Sequence, residues 1–149
     1  MAQLEFEIQV HAPANLVAAF FVPQRMNYWY GAEMESCFEI QGGAADFQAG
    51  QKVRITGRLR GREVTLTAVI MRYEFARMLE WQFQDSYGVR GMQSWKLIPT
   101  LRGTRVLMSD SYRFPGAIGK IWDWIFMRHA VKQRDRDWLA HLKRLAERR

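Results

Sequence analysis

The sequence predicts an α+β fold in which a curved antiparallel sheet wraps around one long C-terminal helix. Most of the chain alternates apolar and polar residues with the period of a strand, beginning with Leu4, Phe6 and Ile8. Residues from about 116 to 148 follow a helical period instead. Because one helix cannot fill the concave face of a six- or seven-stranded sheet, we expect an apolar cavity between sheet and helix.

The composition indicates one folded domain over residues 1–149. The chain is 48% hydrophobic and 13% aromatic, which argues against disorder, and its length can bury a substantial core. Its one cysteine, Cys37, excludes an intrachain disulfide, and no Cys/His spacing fits zinc. We therefore expect no metal and no cofactor. The sequence shows neither a signal peptide nor an apolar run that could span a membrane, so we expect a cytoplasmic protein.

Strands are predicted from this alternation at about residues 3–11, 33–41, 51–59, 62–74, 79–83, 89–98 and 104–114. The pattern is clearest where Val53 and Ile55 fall in one phase, which we expect to be buried. Lys52 and Arg54 fall in the opposite phase, which we expect to be solvated. Short turns between successive strands indicate an antiparallel meander.

Two short helices are expected after the first strand. Pro13 can occupy a first helical turn, and Val17 and Phe21 belong to a short apolar face after it. Pro23 begins a second helical segment, which Gly31 closes.

The long C-terminal helix divides into two halves. Its second half has one apolar stripe, formed by Val131, Trp138, Leu142 and Leu145. Lys132, Arg136 and Lys143 fall roughly opposite that stripe. Its first half is apolar nearly all round, so it must be surrounded by the sheet, by loops or by something outside the protein.

Charge is concentrated at the C-terminal end of the chain. The net charge is +7, and residues 113–149 contain ten Lys and Arg against four acidic residues. Such a bias is compatible with nucleic acid or anionic lipid, and also with an ordinary solvated helix face. Nucleic-acid binding is unlikely, because the basic residues lie opposite the apolar stripe and are not interleaved with exposed aromatics.

Polar residues in phase with apolar neighbours are candidates for chemistry. Asp110 lies between Met108 and Tyr112 on the inward phase, and Gln93 precedes Trp95 on another inward phase. A buried carboxylate is costly unless it is paired, hydrogen-bonded or protonated, and functional carboxylates acquire useful pKa values in this way. The alternative is that Asp110 is satisfied by neighbours and only fixes register.

Beyond these patterns, the sequence resembles a known superfamily. The opening FEIQVHAPANLVAAFFVPQRMNYWY is similar to that of the helix-grip superfamily, or SRPBCC proteins. That superfamily includes START lipid-transfer domains, birch-pollen-allergen-like proteins and bacterial polyketide cyclase/dehydrase proteins. The later segments RMLEWQF and GTRVLMSDSYRF also fit, so the resemblance covers essentially the whole chain. It implies about seven strands wrapped around the C-terminal helix, with a tunnel for a hydrophobic molecule.

Because the resemblance implies a tunnel, these aromatic and polar residues are candidate ligand contacts. The residues that would line the tunnel are Tyr28, Trp81, Phe83, Gln93, Trp95, Met108, Asp110, Tyr112, Trp122 and Phe126. One function is binding or transport of a lipid, quinone, sterol-like compound or polyketide. The alternative is a cyclase/dehydratase-type enzyme in which Asp110 transfers protons, with Tyr112 or Tyr28 as its partner.

The apolar first half of the terminal helix also suggests a partner. Trp124 and Met127 lie on the side of that segment away from Trp122, between flanking cations. We expect one edge of residues 118–128 to form an exposed patch that docks on a membrane surface or a partner protein. Complete burial of the segment in the grip is the alternative.

Overall fold

A computed structural model describes residues 2–40, 46–59, 61–113 and 121–148, excluding the side chains of residues 2, 59, 62 and 121–130. Within those ranges one sheet contains β1 (Ala2–Val10), β2 (Cys37–Ile40), β3 (Lys52–Leu59), β4 (Arg62–Glu74), β5 (Met78–Asp85), β6 (Arg90–Thr100) and β7 (Gly103–Arg113). The helices there are α1 (Ala14–Ala18), α2 (Pro23–Met26), a 3₁₀ helix (Ala32–Met34) and α3 (Ile121–Glu147). This architecture confirms the predicted α+β helix-grip fold.

The sheet is antiparallel throughout, in the order β1-β7-β6-β5-β4-β3-β2. Strands β2 to β7 form a meander, and β1 joins the far edge by pairing with β7. The alternation places Val53 and Ile55 inside, at 0% and 4% exposure, and leaves Lys52 and Arg54 exposed. The predicted inward and outward phases are therefore confirmed.

Two adjacent rows of inward side chains cross the sheet at the level of the candidate residues. The row named here the aromatic layer consists of Phe6, Met108, Trp95, Leu79 and Tyr73. The next row, the polar layer, consists of Leu4, Asp110, Gln93, Trp81 and Ile70. An irregularity between Ile70 and Arg72 shifts the register of β4.

Helix α3 carries the predicted stripe in the part where its side chains are described. Val131, Trp138 and Leu142 are buried and Leu145 is half-buried, whereas Lys132 is exposed. No described helix is long and apolar enough to cross a membrane.

The C-terminal end of α3 is fastened to the end of β1. Lys143, expected opposite the stripe, is half-buried, and its Nζ donates to the Gln9 carbonyl at 2.7 Å. The backbone N–H of His11 donates to Glu147 Oε1 at 3.1 Å. These contacts fix how the helix lies over the sheet.

Two predicted boundaries differ from the structure. The strand expected over 33–41 begins at Cys37, because Gly31 and Glu35 adopt positive φ angles of 67° and 51° around the intervening 3₁₀ helix. Such angles interrupt an extended strand. The expected helix start near residue 116 lies outside the described residues, and α3 is described from Ile121.

Candidate functional site

Gln93 is the centre of a buried hydrogen-bond network on the polar layer. Its Oε1 accepts hydrogen bonds from Tyr30 Oη at 2.7 Å and from Trp81 Nε1 at 2.9 Å. Its Nε2 donates to Asp110 Oδ2 at 3.4 Å. Because two donors fix the amide oxygen, the amide nitrogen must face Asp110.

Helix α3 brings a second carboxyl to the same place. Arg134 Nη2 lies 3.9 Å from Asp110 Oδ2 and 3.6 Å from Asp135 Oδ1. Asp110 and Asp135 are 1% and 0% exposed, whereas the Arg134 side chain is 36% exposed. One partly exposed arginine side chain, with its Nε buried, therefore lies beside both buried acids.

Burial and mutual proximity control the charges of this group. Burial, followed by the proximity of Asp110, raises the pKa of Asp135 well above its ordinary value of 3.8. Burial also raises the pKa of Tyr30, which keeps its phenol a hydrogen-bond donor. Burial opposes the charge of Arg134, but Asp135, Tyr30 and Asp110 together raise its pKa. At neutral pH Asp135 is protonated and Arg134 is a cation.

Arg134 is also part of the contact between α3 and the 3₁₀ helix. Its guanidinium carbon lies 4.5 Å from the centre of the Trp138 ring, a cation–π distance. Trp138 Nε1 donates to both carboxylate oxygens of Glu33, at 3.1 and 2.8 Å. The site is thus assembled from β5, β6, β7, α3 and the segment that follows α2.

The neighbouring aromatic layer is filled by side chains. Trp95 is 0% exposed, and its ring centre lies 5.9 Å from Trp29, 5.8 Å from Tyr30 and 5.0 Å from Trp81. A void beside Phe21 and Trp95 measures about 10 Å³, the least that holds one water molecule. Trp95 and Met108, expected to line a cavity, are therefore packed as core at this level.

On the other side of the polar layer the inner face is more open. Phe83 and Tyr112 face inward there, at 9% and 2% exposure, as the alternation predicts. Phe38, Ile40 and Leu66 lie on the same face but are only half-buried. Apolar surface is therefore available beyond Asp110 and Gln93.

Some expected contacts are placed elsewhere. Tyr28, proposed as a ligand contact and a partner of Asp110, is 56% exposed and is not among the residues that bond to Gln93. Tyr30, two residues later, is the phenol that reaches Gln93, because the turn after α2 directs Tyr30 inward. The side chains of Trp122 and Phe126, and the docking patch expected at 118–128, lie outside the described residues.

Sequence reasoning missed Asp135, Arg134 and Tyr30. Asp135 lies four residues after Val131 and three before Trp138, so it falls inside the apolar stripe of α3. An acid inside an apolar stripe was the feature of the sequence that could have identified it.

Asp85, another acid of the sheet, lies at a strand end. It accepts hydrogen bonds from the backbone N–H groups of Tyr87 and Val89, both at 2.9 Å, and so stabilises the turn before β6.

The sheet, the helix packed on it and the two buried acids define a small α+β protein of the helix-grip class, and the family comparison agrees. The chain belongs to the polyketide cyclase / dehydrase and lipid transport family, whose model matches residues 1–147. No curated protein matches the sequence.

Solved structures share the fold at low sequence identity. A protein from Rhizobium leguminosarum is 16% identical with a TM-score of 0.77, over 99% of this chain and 95% of that one. An Arthrobacter aurescens protein is 15% identical with a TM-score of 0.76, over 97% and 85%. DynU16, from the dynemicin biosynthetic locus, is 18% identical with a TM-score of 0.70, over 97% of this chain and 47% of its own length. These likenesses establish the fold alone.

Proposed function

We propose that the protein binds or transports a hydrophobic small molecule, such as a lipid, quinone, sterol-like compound or polyketide, between the sheet and α3. The observation that carries this proposal is the half-buried apolar surface of Phe38, Ile40 and Leu66 on the inner face. Apolar walls beside a few convergent polar groups are typical of small-molecule sites. Covering such surface yields about 25 cal/mol per Å².

The position of the ligand follows from the packing. The aromatic layer is occupied by Trp29, Trp95 and Tyr30, so we place the ligand beyond the polar layer, next to Phe83 and Leu66. Family membership supports hydrophobic ligands in general. Native mass spectrometry of freshly purified protein, followed by organic extraction, would identify a co-purifying molecule.

Binding of the apolar dye N-phenyl-1-naphthylamine tests the position. We expect micromolar or better affinity for the wild type and a loss of about tenfold, or 1.4 kcal/mol, in Leu66→Trp, because the larger ring fills the site. Thr67→Trp is the matched control on the outer face, and it should not change the affinity. Thr67 also borders a shallow depression of about 790 Å³ on the outer face, so this variant would reveal a dye that binds there instead.

Two results would contradict the proposal. One is a wild-type protein that neither binds the dye nor carries an extractable apolar molecule. The other is a dye affinity that Thr67→Trp lowers while Leu66→Trp does not, since the dye would then occupy the outer depression.

A cyclase/dehydratase-type enzyme is the second candidate, favoured by the buried inner-face carboxyl of Asp110. Asp110 would transfer protons during aldol cyclisation and water loss, with Tyr112 as the neighbouring phenol. Asp110→Asn should abolish conversion of a poly-β-ketone substrate that the wild type converts, and leave dye affinity largely intact. Unchanged conversion in that variant would remove Asp110 from the mechanism.

Two further expectations remain proposals. Docking of residues 118–128 on anionic membrane predicts that vesicles co-sediment the wild type more strongly than Trp124→Ala. Equal sedimentation of both proteins would remove Trp124 from any such contact. A cytoplasmic location stays a prediction from the sequence.

A further inference from the structure

The polar layer holds more acid than base. Two buried carboxyls, Asp110 on β7 and Asp135 on α3, face one guanidinium. Among the described side chains, Arg134 is the only cation that pairs with either acid. Tyr30 and Glu33 are the other titratable groups close to Arg134, and β5 and β6 contribute the neutral Trp81 and Gln93. Two ionised acids would leave an uncompensated buried negative charge, which is strongly disfavoured.

Hydrogen-bonding capacity at the same place is unused. Oδ1 of Asp110 and both carboxyl oxygens of Asp135 are buried without a hydrogen-bond partner among the described residues. Ionised carboxylates only accept hydrogen bonds, so two of them cannot satisfy each other until one is protonated. Most buried polar atoms in folded proteins have hydrogen-bond partners. A proton on one acid and a hydrogen-bonding group of a ligand would supply the partners that these oxygens lack.

We propose that Asp110 and Asp135 share one proton and, beside Arg134, form the hydrogen-bonding end of the ligand site, which selects a neutral apolar molecule with a hydroxyl or carbonyl over an apolar anion. This inference rests on the proposed binding function and adds the chemical class of the ligand. It assigns Asp135 and Arg134, which no motif singled out, to the site.

The charge balance explains the selectivity. One proton on the pair and one cation on Arg134 give the three side chains a net charge of zero. An anionic head group would meet the remaining carboxylate in a medium of low dielectric constant, where like charges repel strongly. Arg134 offers little compensation, because it already faces both acids and stacks on Trp138.

A hydroxyl group fits the unused atoms on both sides. It can donate a hydrogen bond to Asp110 Oδ1 and accept one from the protonated carboxyl of Asp135, and a carbonyl can accept the latter; the proton stays on the acid pair in both cases. A plain hydrocarbon does neither and leaves the oxygens unpaired, so it should bind less tightly than the alcohol.

Displacement of N-phenyl-1-naphthylamine by 1-decanol and by decanoate near neutral pH tests this selectivity. The two competitors have the same chain length and differ in the charge of the head group. We expect wild type to prefer the alcohol by about tenfold. Asp110→Asn removes the remaining negative charge, so the ratio of the two affinities should fall by about tenfold. Asp135→Asn keeps a neutral hydrogen-bonding group and should retain the preference.

The matched control is Asp137→Asn, which alters an exposed acid two residues along the same helix. It should leave the ratio unchanged. Infrared spectroscopy near neutral pH is a second measurement, which does not require any of the proteins to bind a ligand. The C=O stretch of a protonated carboxylic acid should be present in wild type and Asp137→Asn, and lost in Asp135→Asn.

The outcomes separate the inference from the function on which it rests. Dye binding with equal alcohol-to-acid ratios in wild type and Asp110→Asn, or a wild type without the carboxylic acid band, overturns the inference and leaves the binding function in place. A wild type that binds no dye and carries no apolar molecule overturns both.

Discussion

The aromatic and polar layers are neighbours on the same strands, yet they are stabilised in different ways. Trp95 and Gln93 are two residues apart on β6, and both are fully buried. Among the described residues, the ring contacts of Trp95 are with other aromatic side chains, including Trp29 and Tyr30 on the concave side, and its Nε1 has no hydrogen-bond partner. Around Gln93 the contacts are hydrogen bonds with Tyr30, Trp81 and Asp110, and Arg134 lies within ion-pair distance of Asp110 and Asp135.

The two layers are expected to contribute differently to stability. A packed aromatic row supplies apolar burial and leaves no room for a ligand. A row of polar groups with unpaired oxygens gains little stability, since buried charges cost desolvation. In the function proposed above, this row serves recognition of a ligand. Substitutions in the two layers should therefore have different signatures.

The largest effect is expected in the aromatic layer. Trp95→Ala should lower the free energy of unfolding by about 3–5 kcal/mol, because it removes a fully buried ring and leaves a cavity. Urea denaturation measures this loss. Lys96→Ala, on the exposed face of the same strand, is the control and should change stability by about 0.5 kcal/mol or less. A loss below about 1 kcal/mol for Trp95→Ala would mean that the layer is not packed as described.

Gln93→Leu should cost about 3 kcal/mol, although leucine is the more apolar residue. The change leaves Tyr30 Oη and Trp81 Nε1 without their acceptor, and each buried unpaired group costs about 1–3 kcal/mol. Gln82→Leu makes the same substitution on the exposed face of β5 and serves as control in the same denaturation experiment. A stability gain in Gln93→Leu would show that Gln93 is not the required acceptor of the Tyr30 and Trp81 hydrogen bonds.

The pH dependence of stability should come from the polar layer. Because folding raises the pKa of Asp135, the folded protein keeps a proton that the unfolded chain releases above the ordinary aspartate range. Its contribution to stability is complete at low pH and is lost as pH rises. From about pH 5 to about pH 7 the free energy of unfolding of the wild type should fall by about 2 kcal/mol relative to that of Asp135→Asn. Release of one proton can change this free energy by at most about 1.4 kcal/mol per pH unit.

Asp137, the exposed acid two residues after Asp135, provides the control for the pH dependence of stability. Asp137→Asn should follow the wild-type pH profile in thermal or urea unfolding. Parallel profiles for the wild type and Asp135→Asn would show that Asp135 ionises normally in the folded protein.

The smallest effect concerns the contact between α3 and the 3₁₀ helix. Trp138→Phe removes the donor to Glu33 and should cost about 1 kcal/mol, since Glu33 is exposed to water. Glu33→Gln keeps an acceptor and should cost less, which thermal unfolding can resolve. Equal losses would show that the indole N–H requires the negative charge of Glu33 and not only an acceptor oxygen.

The sequence predicted the aromatic layer better than the polar layer, for a physical reason. Strand alternation depends only on neighbours along the chain, so Val53, Ile55 and Trp95 were assigned to the correct face. The partners of Asp110 come from α3 and from the turn after α2, which no local pattern connects. The sequence therefore suggested Tyr28, whereas the phenol that bonds to Gln93 belongs to Tyr30.

The strand expected at residue 33 was wrong for a related reason. Met34 and Ser36 alternate with Phe38 in the manner of a strand, but Gly31 and Glu35 take left-handed conformations that begin and end a 3₁₀ helix. Alternation does not reveal a positive φ at a glutamate. Ser36 is buried, and it donates to the Tyr30 carbonyl at 2.7 Å rather than to a strand partner.

The most direct test of binding at the polar layer is to follow the indole N–H signals of the six tryptophans by NMR during titration with 1-decanol. Trp81 donates to Gln93, and Trp138 stacks on Arg134, whereas Trp29 donates to the backbone carbonyl of Phe20. The account predicts saturable shifts for Trp81 and Trp138 and an unchanged Trp29. Shifts confined to Trp29, or no shift at any indole, would contradict it.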